Sequence, residues 1–351
     1  MDRLGEAHRR ARGLRLPGLR PPATGGLATV IAILATSALS GGAAWAQAQW
    51  RPEKPVEIVA AVSPGSGQDI TARTIQKVLQ EKKLVATPVS VLNKPGGGGS
   101  VGWAYISQHP ADPHYLSVIV MNLLTNEISG RSPLRYTDFT PFSQLGAEYI
   151  VLAVKPESPF KTGADFVARL KKEPESVSIG LSTALANAPH IAVAQIGRTA
   201  GIDVRRLKIV VFNSAAEART SLLGGHIDMV SASASNVAAM MQSGQLRALG
   251  VSAPRRVGGA LAAIPTWREQ GVDAVFTNWR AVVAPRGLSA AQIAFWDAAL
   301  LRLTQSDDWN KDLEANYAEN VYTTSEETRK FLAAQFDELK VILANLGLTR
   351  Q

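Results

Sequence analysis

The residues best suited to chemistry are a run of hydroxyls, glycines and one carboxylate, Ser63-Pro-Gly-Ser-Gly-Gln-Asp69, set between an apolar stretch and a helical pattern. The chemistry they suit is anion capture. A helix start leaves backbone N–H groups without intrahelical acceptors and carries about half a positive charge. Ser63, Ser66 and the N–H groups of Gly65, Ser66, Gly67 and Gln68 would then cradle a carboxylate. The plainer alternative is an ordinary strand-to-helix connection with Asp69 as N-cap.

The same arrangement recurs. In Leu181-Ser-Thr-Ala-Leu-Ala-Asn-Ala-Pro-His190, Ser182 and Thr183 offer hydroxyls to a second carboxylate, while capping by Asn187 alone would also explain the segment. Asn213 and Ser214 stand at a third strand end, and Ser231-Ala-Ser-Ala-Ser-Asn236 leaves hydroxyls at a fourth. Arg280 interrupts an apolar strand in Thr277-Asn-Trp-Arg280, where an unpaired charge is costly. Either it pairs with a carboxylate of the protein, or it clamps a ligand carboxylate with both arms of its fork. Trp279 beside it reads as core packing or a cleft wall.

Bond-making chemistry finds less support. Outside the N-terminal segment the histidines are His109, His114, His190 and His226, and none has a metal-ligand spacing with another His or with acidic residues, so neither metal nor cofactor is expected. Gly98-Gly-Ser100-Val-Gly102 matches a nucleophile elbow, with Asp112 and His190 following in hydrolase order. An elbow needs its serine directly after a strand, however, and Asn93-Lys-Pro95 intervenes. Gly97, Gly99 and Gly102 fit a dinucleotide fingerprint, but no acidic residue stands about 20 positions on at a second strand end.

The elements that must position these residues follow from periodicity. Apolar runs at 56–62, 89–92, 116–121, 149–154, 177–181, 208–212, 228–231, 246–251 and 277–284 alternate with helical patterns, which predicts an α/β fold with a mostly parallel sheet buried on both faces. Asn187 and Pro189 open a helix that stops at Gly201; Gly224-Gly225 and Gly244 end two others. Ser289-Ala-Ala-Gln292 is a capping box, and a last helix runs from Ser325 to Leu346. Strand ends of a parallel sheet are where ligands sit, so the four hydroxyl-bearing turns share one edge.

Residues 1–46 read as an export leader: six Arg, the apolar run 27–39, and Ala44-Trp-Ala46 as a cleavage site, with a cut after Ala48 as the alternative. The leader's six Arg against Asp2 and Glu6 account for +4 of the formal charge of +8. What remains is mildly basic and scattered, with no polybasic run, which argues against nucleic acid. With no Cys there is neither a disulfide framework nor a lipid-anchored cysteine, so a freely soluble protein of a Gram-negative periplasm is expected. About 305 residues after the leader exceed the size of one core. Two lobes are predicted, 47–151 with 277–351, and 152–276.

In combination, Ser63-Pro-Gly-Ser-Gly-Gln-Asp69-Ile-Thr-Ala-Arg73, Asn93-Lys-Pro-Gly-Gly-Gly-Gly-Ser-Val-Gly102, Ser221-Leu-Leu-Gly-Gly-His-Ile-Asp228, Gly244-Gln-Leu-Arg-Ala-Leu249, Ile264-Pro-Thr-Trp-Arg-Glu-Gln-Gly271 and Ala284-Pro285 resemble the substrate-binding proteins of tripartite tricarboxylate transporters, the Bordetella-uptake type. The resemblance implies a periplasmic binding protein fold of type II, with two α/β lobes, two crossing strands and a ligand cleft between the lobes. It implies ligand contacts from Ser63, Gly65, Ser66, Gly67 and Asp69 in the first lobe and Ser182, Thr183, Ala184 and His190 in the second. Asn213, Ser214 and Arg280 would complete the site around a di- or tricarboxylate such as citrate. The expected partners are that small carboxylate and integral membrane carrier subunits, with the receptor a monomer. The same receptor fold serving a membrane sensor kinase is the alternative, and a hydrolase built on Ser100 a more distant one.

Overall fold

In the first strand, β1 (Val56–Ala60), Val56, Ile58 and Ala60 join one apolar cluster while Val59 and the following Ala61 join another. Alternate residues thus need cover on both faces of the sheet, and helices supply it. The computed structural model describes residues 50–182 and 184–350; the expected leader and Thr183 lie outside the described residues.

The first half of the sheet holds β1, β2 (Val89–Asn93) and β3 (Tyr115–Ile119), connected through α1 (Gly67–Glu81), α2 (Ser100–Ser107) and α3 (Asn122–Ile128). Then comes β4 (Phe139–Val154), sixteen residues long and buried throughout. The second half contains α4 (Gly163–Lys172), β5 (Ser178–Ser182), α5 (Ala188–Thr199), β6 (Lys208–Phe212), α6 (Ala215–Leu223), β7 (Met229–Ser233), α7 (Ala234–Gln242) and β8 (Arg247–Val251). The chain returns along β9 (Thr277–Pro285) and ends in α8 (Ala290–Thr304), α9 (Asp307–Ala315), β10 (Ala318–Asn320) and α10 (Ser325–Asn345).

The strand order β2-β1-β3-β9-β4-β7-β5-β6, with β8 and β10 also on β4, departs from a mostly parallel sheet. The flanks are parallel, β1 with β2 and β3, and β5 with β6 and β7. The centre is antiparallel, because β9 lies against β3 and β4, and β4 also against β7, β8 and β10. The reason is β4 itself. It pairs with β9 up to Tyr149 and with β7 and β8 from Ile150 onward, so one long strand belongs to both halves. The edge strand β6 is half exposed, contrary to burial on both faces.

Caps fall where local chemistry puts them. Asn187 accepts from the His190 N–H, and Ser289 with Gln292 and Thr324 with Glu327 form capping boxes on α8 and α10. The carbonyls at the end of α10 take bonds from Arg205, at 2.9 Å to Asn345 and 3.3 Å to Ala344, so this last helix is held by the second half of the fold. Among the described residues no helix is long and apolar enough to cross a membrane.

Candidate functional site

Adjacent residues of β9 face opposite sides of the sheet, so Asn278 and Arg280 share one face with Glu148 of β4 while Trp279 takes the other. On the shared face the Arg280 Nη2 donates to Glu148 Oε2 at 2.6 Å. Glu148 is buried and also accepts from the Ser235 hydroxyl in the first turn of α7 and from Asn278 Nδ2 at 3.4 Å. Asn278 reaches Ser233 at 3.3 Å. Of the two roles open to Arg280, pairing with a carboxylate of the protein is present in the structure. A buried guanidinium needs its countercharge close by, and Glu148 supplies it. Its Nε remains buried without an acceptor among the described residues.

The guanidinium lies against the start of α1. A Cβ on Gly67 would collide with the Arg280 Nη2, so a larger residue there requires the guanidinium to move. The cap of α1 is Ser66, not Asp69, and Ser66 makes no side-chain capping bond. Asp69 lies inside the first turn, 2 % exposed, and its carboxylate accepts from the Gly65 N–H at 2.8 Å, Asn93 Nδ2 at 2.8 Å and Arg73 Nε at 3.0 Å. Burial raises its pKa, but the bonds from Arg73, Gly65 and Asn93 outweigh burial and hold it below the usual carboxylate range. Asp69 therefore shapes the turn, and the Gly65 N–H is committed to it. Gly65 takes φ 77, a left-handed conformation natural to glycine. The Ser66 N–H turns back to the Ser63 carbonyl at 3.3 Å. What remains for an anion are the N–H groups of Gly67 and Gln68, which meet no acceptor among the described residues, and the hydroxyls of Ser63 and Ser66.

Across from this, the turn after β5 is braced internally. The Ser182 carbonyl accepts from the Ala184 N–H at 3.0 Å and from Asn187 Nδ2 at 2.5 Å. His190, expected among the ligand contacts, is buried beneath the turn, and its Nδ1 accepts the Ala186 N–H at 2.9 Å. Burial, helped by the nearby charge of Arg131, lowers its pKa to about 4, so the ring is neutral. That bond holds the turn at Ala186, which adopts φ 60. Ala184 likewise has its N–H engaged, while Ser182 stands half-exposed at the strand end. Asn213 and Ser214 are exposed, Ser214 capping α6 by accepting from the Glu217 N–H at 3.1 Å.

Three contributors escaped the sequence reading. Glu148 is one. Arg131, after α3, donates to the Leu185 carbonyl at 3.0 Å and so ties the first half to the turn after β5. Asn126 donates to the carbonyls of Gly97 and Gly98 and to the Ser100 hydroxyl at 3.1 Å. Ser100 thus lies at the start of α2, beyond a glycine turn, beside an amide, while the His190 Nδ1 is engaged elsewhere. Among the described residues no group of three or more His, Cys, Asp or Glu could hold a metal ion.

A family model described as "Tripartite tricarboxylate transporter family receptor" matches residues 71–348. The chain is 27 % identical over 318 residues to Protein BugT of Bordetella pertussis, covering 88 % of this chain and 94 % of that one. Two solved structures share the fold. Rpa4515 of R. palustris with adipate aligns at TM-score 0.74 and 20 % identity, covering 85 % of this chain and 99 % of its own. MatC from Rhodopseudomonas palustris with bound malate aligns at TM-score 0.68 and 19 % identity, covering 83 % and 99 %.

Proposed function

The chain belongs to the tripartite tricarboxylate transporter receptor family, and from that premise we propose that it captures a small organic carboxylate between the two halves of its sheet and hands it to a membrane carrier. One observation carries the reading. The start of α1 is uncapped at the carboxyl end of β1, and the N–H groups of Gly67 and Gln68 have no acceptor within the described residues. Such donors favour an anion, and a carboxylate fits their spacing.

The halves act as lobes, residues 47–151 with 277–351 and residues 152–276, turning about the crossings of β4 and of the segment before β9. Ser63, Ser66, Gly67, Ser182, Asn213 and Ser214 line the facing edges. Arg280 lies behind α1 with its charge balanced by Glu148. A dicarboxylate or tricarboxylate is favoured, and the bound malate and adipate of the two fold neighbours support the smaller charge. Its place of work is the periplasm, after removal of the leader.

Calorimetry against malate, adipate, succinate, citrate and tricarballylate tests this. One of them binds in the micromolar range. Silence across the panel, or binding unaffected by Gly67→Ala, overturns the assignment.

A further inference from the structure

On the face of the sheet opposite Arg280, the two crossing strands and α10 border an open cavity of about 310 Å³. That is the scale of a small-molecule site. Four aromatic residues stand among aliphatic and polar ones in its walls. Trp279 and Tyr149, both buried, stand on β9 and β4, Phe276 lies just before β9, and Phe331 of α10 meets the Trp279 ring edge-on at 5.4 Å between centroids.

The polar groups on this wall are arranged as acceptors. The Tyr149 hydroxyl donates to Glu319 Oε2 at 2.7 Å, and the indole N–H of Trp279 donates to Gln335 Oε1 at 3.1 Å. Gln335 in turn donates to Glu338 Oε2 at 2.8 Å. The donors are thus turned onto carboxylates and an amide oxygen, and apolar and aromatic side chains line what is left. Two carboxylates border the space, and one of them, Glu319, is already matched by Arg255 at 3.0 Å. Glu338 has only an amide beside it among the described residues. The surround therefore carries one net negative charge among aromatic rings.

We propose that this cavity binds a small organic monocation, an alkyl- or arylammonium ion whose apolar body packs among Trp279, Phe276 and Phe331 and whose charge faces Glu338. An ammonium group over ring faces gains from the π quadrupole. A carboxylate guest would meet Glu319 and Glu338 head-on, so the site differs in kind from the one at α1. Because Tyr149 and Thr277 sit where β4 and β9 run between the halves, the occupant would touch both crossings.

Isothermal titration of the full chain with benzylamine at neutral pH tests the assignment, with benzyl alcohol as the uncharged counterpart. The expected result is saturable one-site binding of benzylammonium and none of the alcohol. Affinity falls by about tenfold or more in Glu338→Gln, an exposed change that spares the core, and similarly in Phe331→Ala. A crystal soaked with benzylamine shows it between Trp279 and Phe331. Absence of saturable heat at millimolar amine, equal binding of the alcohol, or an unchanged Kd in Glu338→Gln refutes the proposal.

Discussion

Replacing Glu148 by Ala leaves the Arg280 guanidinium without a countercharge. The side chain of Arg280 is 13 % exposed and that of Glu148 1 %, so water cannot substitute for the lost oxygen. Ser235 and Asn278 lose an acceptor at the same time. Breaking a buried pair by removing one partner costs about 3–5 kcal/mol. In a chain of this size that lowers the melting temperature by roughly 6–10 °C. Urea unfolding followed by circular dichroism gives the free energy directly. The informative comparison is a cycle of Glu148→Leu, Arg280→Met and the double variant Glu148→Leu/Arg280→Met. If the loss arises from a stranded charge, the double variant recovers to within about 2 kcal/mol of the parent, because an apolar pair strands nothing. A Glu148→Ala loss under about 1 kcal/mol, or a double variant as unstable as the sum of the singles, would show that Arg280 finds solvent or another partner.

Other consequences are simpler to read. His190 titrates at about 4 in the folded chain against 6.5 in the unfolded one, so the unfolded state binds more protons between those values. Stability is complete above pH 6.5 and falls as pH drops toward 4, by about 3 kcal/mol for a shift of this size. Urea midpoints at pH 7 and pH 4 should show that slope in the parent and lose it in His190→Gln. Gly65→Ala places a Cβ in open space but at φ 77, so the loss is backbone strain of about 1–2 kcal/mol with no steric term, measurable as a lower urea midpoint. A fluorophosphonate leaves Ser100 unlabelled, and Ser100→Ala alters stability by no more than about 1 kcal/mol, the worth of its bond from Asn126. Labelling detected by mass spectrometry would bring back a nucleophilic serine.

What the sequence made legible was local. Asn187, Ser289 and the glycines that close helices act within one turn, and the structure places caps and left-handed stops at them. Strand existence was legible too, since runs such as 58–62 are continuously apolar. The first ten residues of β4 were not. Thr140, Pro141, Ser143, Gln144, Gly146 and Glu148 break the apolar pattern, and irregular pairing with β9 around residues 141–146 accommodates them. Their burial arises from a central position between neighbours that sequence order does not reveal. The antiparallel centre was hidden for the same reason.

The site was legible as places, not as directions. Asp69 and His190 do lie in the turns singled out, but both point inward and hold N–H groups of their own loops. Nothing in a strand-to-helix motif says whether a carboxylate or ring faces the solvent or the turn. Arg280 was recognised as a charge requiring a partner. The partner lies 132 residues away along the chain, on a stretch that did not read as strand at all.

The two-sided character of β9 has a consequence for how this protein tolerates change. Trp279 and Arg280 are neighbours in sequence, yet one closes an aromatic chamber and the other sits behind the anion cradle. Deleting a single residue from the start of that strand would send the indole toward Gly67 and the guanidinium toward α10, emptying both compartments in one step. Length at this crossing is therefore more tightly fixed than composition, and a library that varies side chains there will yield folded receptors where one that varies spacing will not.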